Sequence, residues 1–144
     1  MSRAIEAAQR MWSHHGHQAY DFGLLSNSEA LKIRQATGLD LSGFTRFMAT
    51  RGVRHVRNNH TDPEREKTQQ QFPVKPSDFA LIPKVAAMGS VRLIGNTGSR
   101  KPARLEHRAV IDNRVFVYVE TIGMNDKRLE LWTMRIEKID KVRV

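Results

Sequence analysis

Residues 54–60 read RHVRNNH: two histidines, two arginines and two asparagines around a single valine. Histidine is the side chain that gives and takes protons near neutral pH. Metal-free cleavage of RNA needs a base for the ribose 2′-hydroxyl and an acid for the leaving 5′-oxygen. Arginine can hold the phosphate while charge builds on it. His55 and His60 have the chemistry of such a pair, and Arg54 and Arg57 that of phosphate partners. The spacing is an obstacle. Side chains five apart on one helix point well over 90° apart, at about 100° per residue. They share a site only if the helix stops near Asn58 or Asn59 and the chain turns there. On spacing alone, a solvated basic helix end is the plainer reading.

Other candidates are weaker on chemistry. HxxxxH lacks the i, i+4 geometry of a helical zinc pair and has no obvious third ligand. His14, His15 and His17 in HHGH could pick up zinc or nickel adventitiously, without carboxylate or cysteine support. His107 in ARLEHRAVI reads as a residue of a sheet surface. Tyr118, Glu120 and Thr133 are ordinary strand residues when taken singly, with Glu120 suited to pairing an arginine. GNTGSRKPAR carries Arg100 and Lys101 on a glycine-containing loop, but it matches neither GxxxxGK[ST] nor GxGxxG. No cofactor is called for.

These residues sit in a chain of 144 residues, enough for one domain with a real core. Lys and Arg outnumber Asp and Glu by 24 to 15, a net charge of +9 that favours a polyanionic partner through counterion release. An acidic protein would suit the same charge. The absence of cysteine excludes disulfides, thiolate zinc sites and cysteine nucleophiles. No apolar run approaches the ~20 residues that span a bilayer, and the first residues lack the apolar block of a signal peptide.

Several elements must position the histidines. AIEAAQRMW predicts a helix with Ile5, Ala8 and Trp12 on one face, ended by Gly16. AYDFGLLS predicts a short strand. NSEALKIRQATG predicts a helix capped by Asn27 or Ser28, with Leu31 and Ile33 apolar and Gly38 closing it. LDLSGFTRFMA reads as a turn and an extended segment, and RGVRHVRNN as a helix with Val53 and Val56 inward. TDPEREKTQQQ reads as a polar surface loop. PSDFALIPKVAAMG begins with Ser77 as cap, and Pro83 splits it into two pieces or kinks it. After Gly89 the pattern turns to strands: SVRLIG, ARLEHRAVI, RVFVYVETI and LELWTMRIEKI, with Asp112-Asn113 as a hairpin turn. Val115, Val117 and Val119 share one face of their strand, and Phe116, Tyr118 and Glu120 the other. Helices first and antiparallel strands afterwards predict an α+β fold, with N-terminal helices on one face of a roughly four-stranded antiparallel sheet. Residues 1–19 read as a helical extension and 20–144 as the domain proper.

Taken in order, LDLSGFTRFMATRGVRHVRNNH, QQQFPVKPSDFALIPKV, VFVYVETI and LELWTMRI resemble the phage-associated domains of the barnase–EndoU–colicin–RelE-like nuclease superfamily. Such domains occur in phage head-morphogenesis proteins and bacterial polymorphic toxins. The resemblance covers roughly residues 20 to 137. It rests on Arg54, His55 and His60; on Gln71, Pro73, Asp78 and Phe79; on Tyr118, Val119 and Glu120; and on Thr133-Met134. Thr61 stands where glycine usually follows the second histidine, and Gln69-Gln70 where Arg-Gly usually precedes the glutamine.

The resemblance implies a site on the exposed face of the sheet and a metal-independent endoribonuclease, with tRNA one candidate target. The 2′-hydroxyl would attack its own phosphate and leave a 2′,3′-cyclic phosphate. His55 and His60 would be base and acid in either order, and Arg54 or Arg57 would stabilise the phosphorane. Thr133 would bond the phosphate, Glu120 would orient a histidine or arginine, Tyr118 would stack on a base or donate to a phosphate oxygen, and Gln71 would help bind the substrate. It also implies an acidic immunity protein as partner and a cytoplasmic site of action, reached from a phage particle or a toxin-secretion system. A catalytically silent nucleic-acid-binding or virion-associated module of the same fold is the alternative.

Overall fold

The computed structural model describes residues 2–13, 16–95 and 102–139. The readings placed on His14, His15, Arg100 and Lys101 lie outside them. The elements run α1 (Arg3–Ser13), β1 (Ala19–Leu24), α2 (Asn27–Thr37), β2 (Thr45–Ala49), α3 (Thr50–Asn59), α4 (Pro63–Thr68) and β3 (Gln71–Phe72). A 3-10 turn (Pro76–Leu81) then leads into α5 (Ile82–Met88), β4 (Ser90–Ile94), β5 (Arg104–Ile111), β6 (Arg114–Gly123) and β7 (Arg128–Lys138).

The class is α+β, but the sheet is larger than four antiparallel strands. Its order is β1-β2-β7-β6-β5-β4, with β3 on the far end of β7. The expected antiparallel quartet is β4 to β7. Three further strands come from segments ahead of it, and β2 joins β7 in parallel. On that side β7 meets β2 at residues 128–130 and β3 at 136–137. Between them α3 lies against the strand so closely that a Cβ on Gly52 would collide with the Leu131 carbonyl oxygen.

Local chemistry explains the other differences. α2 is capped one residue earlier than expected, by the Ser26 hydroxyl accepting from Glu29 N–H at 3.2 Å. Gly38, at φ 81°, ends it in the left-handed conformation. The segment from Thr61 is not a loop. Asp62 accepts from Glu64 N–H at 3.1 Å and Pro63 fills the first turn, the usual start of a helix. Pro83 does divide its segment into 3-10 turn and helix, with Asp78 rather than Ser77 bonding back, to Lys75 N–H at 2.8 Å.

One face of the sheet is covered by helices in two apolar clusters. The larger joins Met11, Val53, Val56, Phe79, Val85, Tyr118 and Met134, and the smaller joins Ile33, Phe44, Leu105, Ile122 and Leu129. α1 belongs to the larger through Ala7, Ala8 and Met11, with Trp12 packed against it; of the expected face Ala8 and Trp12 are there, and Ile5 is only half-buried. On the opposite face Val115, Val117 and Val119 form a strip of their own. No described helix is long and apolar enough to cross a membrane.

The Gly52 contact gives a test. Gly52→Ala gains helix propensity of about 1 kcal/mol but forces α3 away from β7, and overpacking of this kind costs about 1–3 kcal/mol. Urea unfolding should find the variant less stable than the parent, with α3 the first element to lose amide protection in hydrogen exchange.

Candidate active site

α3 stops at Asn59. His60 follows at φ −134° and ψ 27°, off the helical spiral, while its N–H still donates to Val56 O at 2.8 Å. Its own carbonyl accepts from Val74 N–H at 2.8 Å, which draws the chain back toward the sheet. The helix thus ends before His60, as the spacing requires of a shared site. His55, one turn earlier, stacks on Trp132 with ring centres 5.2 Å apart.

Trp132 owes its position to a bulge. Glu120 pairs with Leu131 and Val119 with Thr133, so Trp132 is an extra residue in β7. It leans onto the face opposite the helices, where the Arg104 guanidinium lies 4.0 Å from its ring centre. Thr133, Arg135 and Glu137 follow on that open face, paired with Val119, Val117 and Val115. The buried Thr133 hydroxyl has no hydrogen-bond partner among the described residues. Gln71, opposite Glu137, hydrogen-bonds the His60 side chain. His55 is thus placed at Trp132, and Gln71, with the His60 it bonds, at Glu137, five residues further along β7.

Burial lowers the proton affinity of His60 below that of a free histidine, and the positive charges of Arg135 and His55 lower it further; the Gln71 bond opposes them. Glu66 on α4 is fully buried, with its Oε1 3.6 Å from His60 Nδ1. That contact attracts an imidazolium, yet the net direction stays downward and His60 is held neutral. Around this edge the open face is laced with ion pairs. Arg92 and Arg108 hold Glu106, and Arg108 and Arg135 hold Glu137, at 2.8–3.1 Å.

Other expected site residues lie elsewhere. Tyr118 and Glu120 are on the covered face with no exposed surface, so neither can stack on a base or meet substrate. Glu120 does orient an arginine and a histidine, but these are Arg46 and His107. Arg46 donates to it twice, at 2.8 and 2.9 Å, His107 Nε2 lies 2.7 Å away, and the Tyr118 hydroxyl donates at 2.7 Å. His107 is therefore a core residue, not a surface one. Burial raises the Glu120 carboxyl pKa, but Arg46 first and His107 next pull it far below the usual range. Burial pushes the Tyr118 hydroxyl well up. Arg54 and Arg57 turn toward α1: Arg54 Nε donates to Met11 O at 3.4 Å and Arg57 Nη1 to Trp12 O at 2.6 Å. They serve the last carbonyls of that helix, while the charges of Arg135 and Arg65 act on His60. Trp132, Arg135 and Glu66 were not singled out in the sequence, although the apolar phase of LELWTMRI slips by one at Trp132.

Two measurements follow. Glu120→Gln leaves Arg46 buried with Glu29 as its remaining carboxylate, and breaking such a pair costs about 3–5 kcal/mol. Glu120 is depressed in the native state, so its contribution is full above the free glutamate pKa of about 4.3 and fades as pH falls below it. The gap between parent and variant in urea melts should be wide at pH 7 and narrower at pH 3. Separately, Glu66→Gln removes a carboxylate 3.6 Å from His60. NMR titration of the ring should then show the His60 pKa falling further.

Residues 25–143 match the family model described as phage-Barnase-EndoU-ColicinE5/D-RelE like nuclease. No curated protein matches the chain, and no solved structure does.

Proposed function

Since the chain belongs to the phage-Barnase-EndoU-ColicinE5/D-RelE like nuclease family, we propose that it is a metal-independent endoribonuclease whose site is the edge of β7 beside the end of α3. The observation that carries this is His60, released where α3 ends and held neutral by burial and by the positive charge of Arg135 on β7. A neutral imidazole is the form that can accept a proton, so His60 takes the 2′-hydroxyl proton and the oxygen attacks the adjacent phosphorus. Arg135 holds the non-bridging oxygens as charge develops; the Thr133 hydroxyl is buried, so a bond from it to the phosphate requires its side chain to turn outward. His55 gives its proton to the departing 5′-oxygen, and a 2′,3′-cyclic phosphate remains. The partners on this reading are RNA, with tRNA among the candidates, and an acidic immunity protein that covers the same basic face.

The test is incubation with total RNA in EDTA. Cleavage should persist, and His55→Ala or His60→Ala should reduce it by about 10²–10⁴, the usual worth of general acid–base catalysis. Salt-sensitive binding with the RNA left intact would instead favour a catalytically silent module. The acid limb of the rate profile should lie below the free histidine value of about 6.5. Arg135→Gln removes a positive neighbour of His60 and should move that limb upward while lowering the rate.

A further inference from the structure

Trp132 has no place in the core. It is the extra residue of the β7 bulge, it is 42% exposed, and it belongs to neither apolar cluster among the described residues. A bulge interrupts the ladder of a sheet, and beside a functional site it re-aims a side chain. This one aims an indole at a histidine. The ring centre of His55 lies 5.2 Å from that of Trp132, with the planes 28° apart, and the Arg104 guanidinium lies 4.0 Å from the indole centre.

The imidazole reaches that place because α3 lies so close to β7. Gly52 meets the Leu131 carbonyl, where any side chain would push the helix away. His55 is three residues on, along the same side of the helix, and Trp132 follows Leu131 in the strand. The contact that draws α3 against β7 therefore also sets imidazole on indole. At its edge the His55 ring faces Asn59, whose amide nitrogen donates to the His55 carbonyl at 2.7 Å and lies 3.5 Å from Nδ1. Beside the stack is a cavity of about 130 Å³, bounded on its other side by Arg51 and Glu130. Two side-chain torsions set the direction of a histidine ring, so without the indole the imidazole has room to turn away.

We propose that Trp132 is a positioning residue of the ribonuclease. Its indole holds the His55 imidazole, with Nδ1 toward Asn59, so that Nε2 is the nitrogen that gives its proton to the departing 5′-oxygen. Trp132 acts through His55 and not on the RNA. The step it serves rests on the ribonuclease reading above, but the stack can be tested apart from that reading.

Trp132→Ala and Trp132→Phe are compared with the parent on a fluorescein-labelled fragment of the RNA that the parent cuts in EDTA. Trp132→Ala should lower kcat by about 10²-fold, the cost of misplacing a reacting group by roughly 1 Å, with KM unchanged. Trp132→Phe keeps a ring for the imidazole to lie on and should recover most of that loss. In a His55→Ala background Trp132→Ala should cost nothing further, because residues that act as a unit are not additive. The indole is outside the core, so both single variants keep the parental melting temperature. A raised KM at unchanged kcat, which marks a residue that binds the RNA itself, would overturn the proposal. So would a further loss in the His55→Ala background. NMR of the His55 ring reads the stack directly. Protons over an indole face are shielded, so Trp132→Ala should move the His55 ring-proton signals downfield and leave those of His60 in place. If the parent cuts no RNA, the nuclease reading falls and these shifts alone decide whether Trp132 sets the His55 ring: signals that move support it, and signals that stay overturn it.

Discussion

Arg46 and Glu120 are the pair on which the sheet depends. β2 meets β7 through only a short parallel pairing. The Arg46 side chain crosses the covered face of β7 to reach Glu120 on β6, and it also reaches Glu29 on α2 at 2.8 Å. α2, β2 and the sequence-distant β6 are thereby fixed by one guanidinium. The group lies between the two apolar clusters, with Tyr118 in one and Leu105, the pairing partner of Glu120, in the other. Buried charge of this kind is tolerated only when its hydrogen bonds are met, and here Arg46, His107 and Tyr118 meet those of Glu120. The requirement for every partner at once makes one mutual placement of β2, β5 and β6 far better than its neighbours.

On that platform the site arises from two interruptions of regular structure. A helix end releases His60, and a bulge releases Trp132. Both occur along β7, the strand that β2, β3 and β6 all join. Burial against α4 and the positive neighbours keep His60 uncharged, so the same packing that closes the core also sets the protonation state of the proposed base. The arginines of the open face are tied to Glu106 and Glu137, so they approach a phosphate already oriented and lose little freedom on meeting it.

Much of this was legible in the sequence. The α+β class, the strands after Gly89, the break at Pro83 and the demand that α3 end before His60 all follow from periodicity and local breakers. What was missed has identifiable causes. β6 is apolar on both phases, so its alternation could not say which of Val119 or Tyr118 faces helices. His107 is in phase with Leu105, Ala109 and Ile111, a sign of the covered face that a polar residue type concealed. Asp62-Pro63-Glu64 is a helix start that overall polarity disguised as a loop. The roles of Arg54 and Arg57 depended on where α1 docks, which no local pattern encodes. The parallel β2–β7 pairing joins residues more than 80 apart and is equally silent in any short window.

The bulge at Trp132 has a consequence for how this surface can vary. The pairings on either side of it are each regular, and they differ by one residue on β7 alone. Excising Trp132 would bring the two registers into a single continuous ladder, with every other side chain still on its present face. The sheet has no architectural use for that position. A lineage could lose or regain the indole by single-codon deletion or insertion without redesigning the core, so the surface beside His55 can change faster than the scaffold that holds it.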